Sequence, residues 1–170
     1  MKLIVPTENG YLADEYGKYA PDTARGTNGG PNRSFPVQVA ELPAATKAWA
    51  LTLLDFDAVP VAGFPWIHWL VTNIAPEQTT LPANASRDLT TQLIQGKNSL
   101  ASPFVKNNDL DAAKHYIGPT PPDKTHNYQL TVYALDQLLP LTNGYWLNEF
   151  YHASAGHILA QAQIELPSRA

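Results

Sequence analysis

Two apolar runs, Ala48–Leu54 and Trp66–Ile74, stand close together, separated by a loop bearing Pro60, Gly63 and Pro65. Runs of this length bounded by Pro and Gly read as two buried strands. Further strand patterns follow. Lys2–Val5 predicts a short first strand, and Phe35–Val39 alternates as a half-buried one. Asn127–Leu135 places Tyr128, Leu130, Val132 and Ala134 on one face. Ile158–Leu166 turns Ile158, Ala160, Ala162, Ile164 and Leu166 inward, with Gln161, Gln163 and Glu165 toward water. Strands that succeed one another without helices between them disfavour a parallel, helix-alternating sheet. The expected fold is all-β, an antiparallel β-sandwich with a few short peripheral helices. One short helix is expected over Ser86–Ile94. Another, near the C-terminus, is capped by Thr142 or Asn143 and runs through His157, with Leu147, Phe150, Tyr151 and Ser154 near its buried stripe. Residues 6–34 are mostly polar and rich in Gly and Pro, which predicts an irregular lead-in on the surface. His115–His126 holds three prolines and Gly118 and predicts no regular element.

Composition narrows the function. The 170 residues suit one domain, 1–170, and 44% hydrophobic against 15% charged residues describes a folded chain. The formal charge is −4 and no basic run exists, which argues against a nucleic-acid partner. There is no cysteine, so disulfides and thiolate metal sites are excluded. The N-terminal apolar run is too short for a signal peptide core, and no stretch approaches about 18 uninterrupted apolar residues, so no membrane span is expected and a cytoplasmic location is the default.

The chemistry concentrates at strand ends. Asp55 and Asp57 close the first apolar run, and His68 lies inside the second. In extended backbone Asp55 shares a face with Leu51 and Leu53, and His68 with Leu70 and Thr72. If the two faces meet, the carboxylate orients the imidazole and raises its pKa. The plainer reading makes Asp55 and Asp57 a strand-end turn satisfied by backbone N–H groups and His68 a hydrogen-bonded core residue. The loop Gly118-Pro119-Thr120-Pro121-Pro122, with His126 and Tyr128 two apart, can form a rigid wall carrying an N–H and an O–H.

Together the DFDAVP strand end, the WIHWLVTN strand, the GPTPPDKTHNY loop and strand, the VYALD strand end and the GHILAQA segment resemble the phosphatidylethanolamine-binding protein family, and most closely its bacterial Raf-kinase-inhibitor-like members. The resemblance runs from about Asn32 to Leu166, in the family's order. It implies a β-sandwich with a small anion-accepting pocket for phosphate or phospho-headgroups, without a cofactor. It implies that Asp55, His68, Gly118, Pro121, His126 and Tyr128 bind the ligand, with Asp57 and Trp66 structural beside the site. It also implies a kinase or protease as the protein target of some members. The chain departs from the family where a proline gives way to Phe56, where Val59 is inserted, where Asp123, Lys124 and Thr125 replace loop glycines, and where Asn127 replaces an arginine.

Three rival readings of the same residues compete with it. LTLLDFDAV fits the Asp-x-Asp strand end of a haloacid-dehalogenase-type phosphatase, with Asp55 and Asp57 as nucleophile and acid and Asp109 and Asp111 as metal-binding acids. A metal-dependent hydrolase would use His68 and His126, although no HExxH spacing is present. A protein-binding module would use the surface over residues 7–33, and the abundance of Trp, Tyr and Phe is compatible with a homodimer. With no nucleophile beside a base and no cofactor motif, binding without catalysis is the expectation.

Overall fold

The computed structural model describes residues 1–170. Its elements are β1 (Lys2–Ile4), β2 (Thr7–Glu8), β3 (Tyr11–Leu12), β4 (Val37–Ala40), β5 (Ala48–Asp55), α1 (Val59–Ala62), β6 (Trp66–Ile74), β7 (Thr80–Leu81), α2 (Ala85–Asp88), β8 (Ile94–Gln95), β9 (His126–Leu135), α3 (Leu147–Ser154) and β10 (Ile158–Ser168). Every residue of β5 is buried, because β5 sits in the middle of a five-stranded antiparallel sheet ordered β10-β9-β5-β6-β8. A strand covered on both faces has no wet side, so its sequence reads as a continuous apolar run.

One face of this sheet packs on a smaller sheet, β1-β4-β7. Phe35, Val37, Val39 and Leu81 there meet Trp49, Leu51, Leu53, Trp69, Val71, Leu130 and Val132. The opposite face carries Ala50, Leu70, Tyr133 and Leu135, covered by Leu139, Tyr145 and Phe150 from the segment that contains α3. The expected all-β sandwich is the observed architecture, and no helix is long and apolar enough to cross a membrane.

Several expectations change at the level of elements. The lead-in is part of the core: Leu12, Tyr16, Ala20 and Ala24 are buried. Asn9-Gly10, at φ 51° and 83°, makes the tight turn between β2 and β3, a dipeptide that signals a hairpin in any sequence. The Tyr116 hydroxyl donates to the Tyr16 carbonyl at 2.6 Å, and the Gly118 N–H to the Pro31 carbonyl at 2.7 Å, tying the lead-in to the rest. The helix expected over Ser86–Ile94 is one turn, α2, since Ile94 and Gln95 pair with β6 instead. Gln95 is held there because its side-chain oxygen accepts from Trp69 Nε1 and Ser86 Oγ at 2.9 and 2.6 Å. The C-terminal helix starts at Leu147, with the Glu149 carboxylate accepting from the Trp146 N–H at 2.6 Å, so neither Thr142 nor Asn143 caps it. Its Tyr151 is exposed, and Phe150 and Ser154 are the buried positions. β10 is an edge strand, so its inward side is only partly covered: Ile158 is exposed, Ala160, Ala162 and Ile164 are half-buried, and Leu166 is buried.

Candidate functional site

The site begins with a break in strand register. β6 pairs Val71 with Leu51 and Trp69 with Leu53, but the next pair is Ile67 with Leu54, followed by Trp66 with Asp55. His68 is therefore the extra residue of a β-bulge. Regular alternation would seat it with Leu70 and Thr72 against the second core, and the bulge instead re-aims its ring to the side of Asp55. The same irregularity frees the His68 carbonyl, which accepts from the Ile117 N–H at 3.1 Å. The His68 Nδ1–H donates back to the Ile117 carbonyl at 2.7 Å, because a carbonyl can only accept. This reciprocal pair pins the proline-rich loop against β6 and fixes the tautomer, leaving Nε2 as the nitrogen without a protein partner.

β5 and β9 bring the other groups. Asp55 lies opposite Tyr128 in register, and His126 begins β9 on the same face. The Asp55 Oδ2 accepts from His126 Nδ1 at 2.7 Å, and its Oδ1 accepts from the Ala58 N–H at 3.1 Å. His126 Nε2 donates in turn to the Asp123 carboxylate at 2.9 Å. The acid thus pairs with His126 and not with His68. The His68 ring sits edge-on to Tyr128, with centroids 4.9 Å apart.

These groups enclose a cavity of about 210 Å³, lined by Asp55, Trp66, His68, Pro121, His126 and Tyr128 together with Ala58, Val61, Ala62, Thr120 and Pro122. One expected ligand-binding residue, Gly118, stands outside it, as does Asp57, which was expected only beside the site. Gly118 is no wall residue: a Cβ there would lie 2.4 Å from the Tyr16 carbonyl oxygen and 2.8 Å from Pro31, so its bareness serves loop packing. Asp57 ties the 55–58 turn to β9 by accepting from the Asn127 N–H at 2.9 Å. Few loop amides are free to face the cavity: Ile117 and Gly118 donate to His68 and Pro31, and Pro119, Pro121 and Pro122 have no N–H, which leaves Thr120 as the lining residue of the loop that carries one. Asp123 was not a candidate, and its signal is the placement of an acid three residues before a pocket histidine.

The electrostatics separate the two imidazoles. Burial pushes the His68 pKa down to about 4, and the Ile117 hydrogen bond and the Asp55 charge only partly oppose it. His68 is neutral at pH 7, and its Nε2 is an acceptor. This reverses the expectation that Asp55 would hold His68 protonated. Burial also works against charge on His126, but hydrogen bonds from it to Asp55 and Asp123, with their charges, raise its pKa above 6.5. Burial and the adjacent Asp55 carboxylate raise the Tyr128 pKa, keeping the hydroxyl intact as a donor. An NMR titration is expected to show the His68 ring flat from pH 8 to pH 5 and His126 titrating above 6.5. A His68 midpoint near 6.5 would contradict this geometry.

The arrangement does not favour the phosphatase reading. An antiparallel sheet has no strand–helix alternation, and Asp57 points to Asn127, not into the cavity beside Asp55. Asp111 pairs with Arg87 at 2.6 Å, and Asp109 accepts from Thr27 at 2.7 Å, both outside the cavity's lining.

Comparison with known proteins fits this geometry. The family model described as phosphatidylethanolamine-binding protein matches residues 4–168. The Bacillus subtilis protein YxkA is 48% identical over 161 residues, covering 95% of each chain. The crystal structure of Escherichia coli YbcL, described as a new member of the mammalian PEBP family, shares the fold with a TM-score of 0.77 at 24% identity, covering 99% of this chain and 98% of that one. A Chlamydia trachomatis homologue of phosphatidylethanolamine-binding proteins superposes with a TM-score of 0.74 at 25% identity, over 94% of this chain and 90% of its own. The match of the family model over nearly the whole length, on the shared sandwich fold, places this chain in the phosphatidylethanolamine-binding protein family.

Proposed function

We propose that the cavity binds a small phosphate-bearing headgroup carrying both charges, of the phosphoethanolamine kind, and that the protein acts by binding rather than by catalysis. The observation that carries this reading is the buried Asp55–His126 pair at 2.7 Å, set beside the unpartnered Nε2 of a neutral His68 in one cavity. An imidazolium and a phenol O–H supply donors for phosphate oxygens. The second lone pairs of Asp55 and the His68 nitrogen supply acceptors for an ammonium or a P–OH. A bare dianion finds no partner for those acceptors, so a zwitterion or monoanion suits the set better. The volume, about 210 Å³, is in scale with a headgroup and below the usual range of about 300 Å³ and more for drug-sized guests.

Calorimetry with O-phosphoethanolamine tests this. Binding is expected at pH 6 and is expected to weaken as pH rises through the raised His126 pKa, because the imidazolium is lost there while His68 does not change charge. His68→Ala removes one neutral hydrogen bond and is expected to weaken binding about tenfold, corresponding to roughly 1.4 kcal/mol. Equal affinity at pH 6 and pH 9, or ethanolamine binding as well as phosphoethanolamine, would refute the reading.

A further inference from the structure

Resting on that reading, we infer that Asp123 is a built-in competitor for the ligand's phosphate, an acid of the chain itself seated on the donor that the phosphate needs. His126 is the one imidazolium of the pocket, and both its nitrogens are committed. Nδ1 faces Asp55, which is buried and accepts from the Ala58 N–H as well, so that contact is fixed by the sheet. Nε2 faces Asp123 at 2.9 Å, and Asp123 differs in exposure and in the element that carries it. It lies in the loop that precedes β9, its side chain is half exposed, and besides His126 only the backbone N–H groups of Lys124 and of Asp123 itself, which move with the loop, bond its carboxylate. Its neighbour Pro122 lines the cavity, as does His126.

A phosphate oxygen entering from this side meets an N–H already in use. It must take the place of a carboxylate that bears the same sign of charge and makes the same bond. The groups facing His126 are Asp55, Asp123, Tyr128 and, across the cavity, His68; none of them but Asp123 can withdraw without unpacking a strand. The exchange is therefore local. Asp123 turns out to solvent, Nε2–H passes to the phosphate, and Asp55 keeps the ring charged. The consequence is selective: a guest that cannot supply an anionic oxygen leaves Asp123 in place. Affinity for a phosphate-bearing guest is set below what the same pocket would reach with an uncharged residue at 123.

Calorimetry at pH 6, below the raised His126 pKa of the natural protein, separates the outcomes. Inorganic phosphate and O-phosphoethanolamine are titrated into the natural protein, Asp123→Asn and Asp123→Ala. The expected result is a two- to fivefold gain in affinity for both probes in Asp123→Ala, in the range of a solvent-exposed charge pair. A smaller gain is expected in Asp123→Asn, which keeps an acceptor and loses the charge. A parallel NMR titration is expected to show the His126 pKa lowered in both variants, which a residue with no hold on the ring would not do. Unchanged or weaker binding by both variants, with the natural protein still binding, overturns the competitor role and leaves the pocket assignment standing. If neither probe binds any of the three proteins, the pocket assignment fails first and the role of Asp123 falls with it.

Discussion

Asp55→Ala is expected to destabilise the protein by about 3–5 kcal/mol at pH 6, the usual loss when one member of a buried ion pair is removed. Asp55 and His126 are 3% and 1% exposed, so neither can turn to water when its partner is gone. The pH dependence has a definite sign. The His126 pKa is raised in the folded state, so its contribution is complete below the unfolded histidine value of 6.5 and is lost as pH rises through the raised value. The gap between the natural protein and Asp55→Ala should thus narrow from pH 6 to pH 9.5 in urea unfolding. An equal loss at both pH values would mean that packing, not charge, is what Asp55 provides. The same substitution removes the acceptor for the Ala58 N–H, so the turn that leads into α1 loosens with it.

Phe35→Ala should cost about as much, roughly 3–5 kcal/mol, for a different reason. Phe35 is fully buried, and its ring stands edge-on to Tyr16, Trp69 and Tyr116 at 6.3, 6.2 and 5.7 Å. Those three rings belong to the lead-in, to β6 and to the loop that carries Gly118. One side chain therefore joins three segments that are far apart in sequence. Removing it leaves a void that a frame of stiff aromatic rings cannot close. Denaturant unfolding measures the loss, and hydrogen exchange gives the finer check: amides of residues 11–24 should lose protection in Phe35→Ala. If that protection is unchanged, the lead-in is held independently of the aromatic cluster.

The strands were legible because their signal is local. β5 and β9 announce themselves by apolar runs and alternation, and the lack of a regular strand–helix alternation gave the antiparallel sandwich. The pocket was legible in part, since the residue types at the strand ends, reinforced by the family resemblance, named Asp55, His68, Pro121, His126 and Tyr128, all of which the fold gathers around one cavity. What could not be read was pairing. Whether His68 shares a side with Asp55 depends on a bulge at His68, and one residue of register decides the face on which a side chain emerges. The lead-in was misjudged for a related reason. Its burial comes from Tyr16 meeting Phe35 and Tyr116, contacts made by single aromatic rings scattered in a polar segment with no period to reveal them.

The widened rung in β6 has a further consequence for how this protein can change. On either side of it the strand resumes its ladder with β5, so Trp69 and Val71 answer to the interior while the His68 ring, anchored to Ile117 through one nitrogen, turns the other to the opening. Substitutions that adjust sturdiness and substitutions that adjust the choice of guest then fall on neighbouring residues of the same strand. Loss of a single residue there would do the opposite, merging the two demands and turning the imidazole away from its companions while the sheet itself survived.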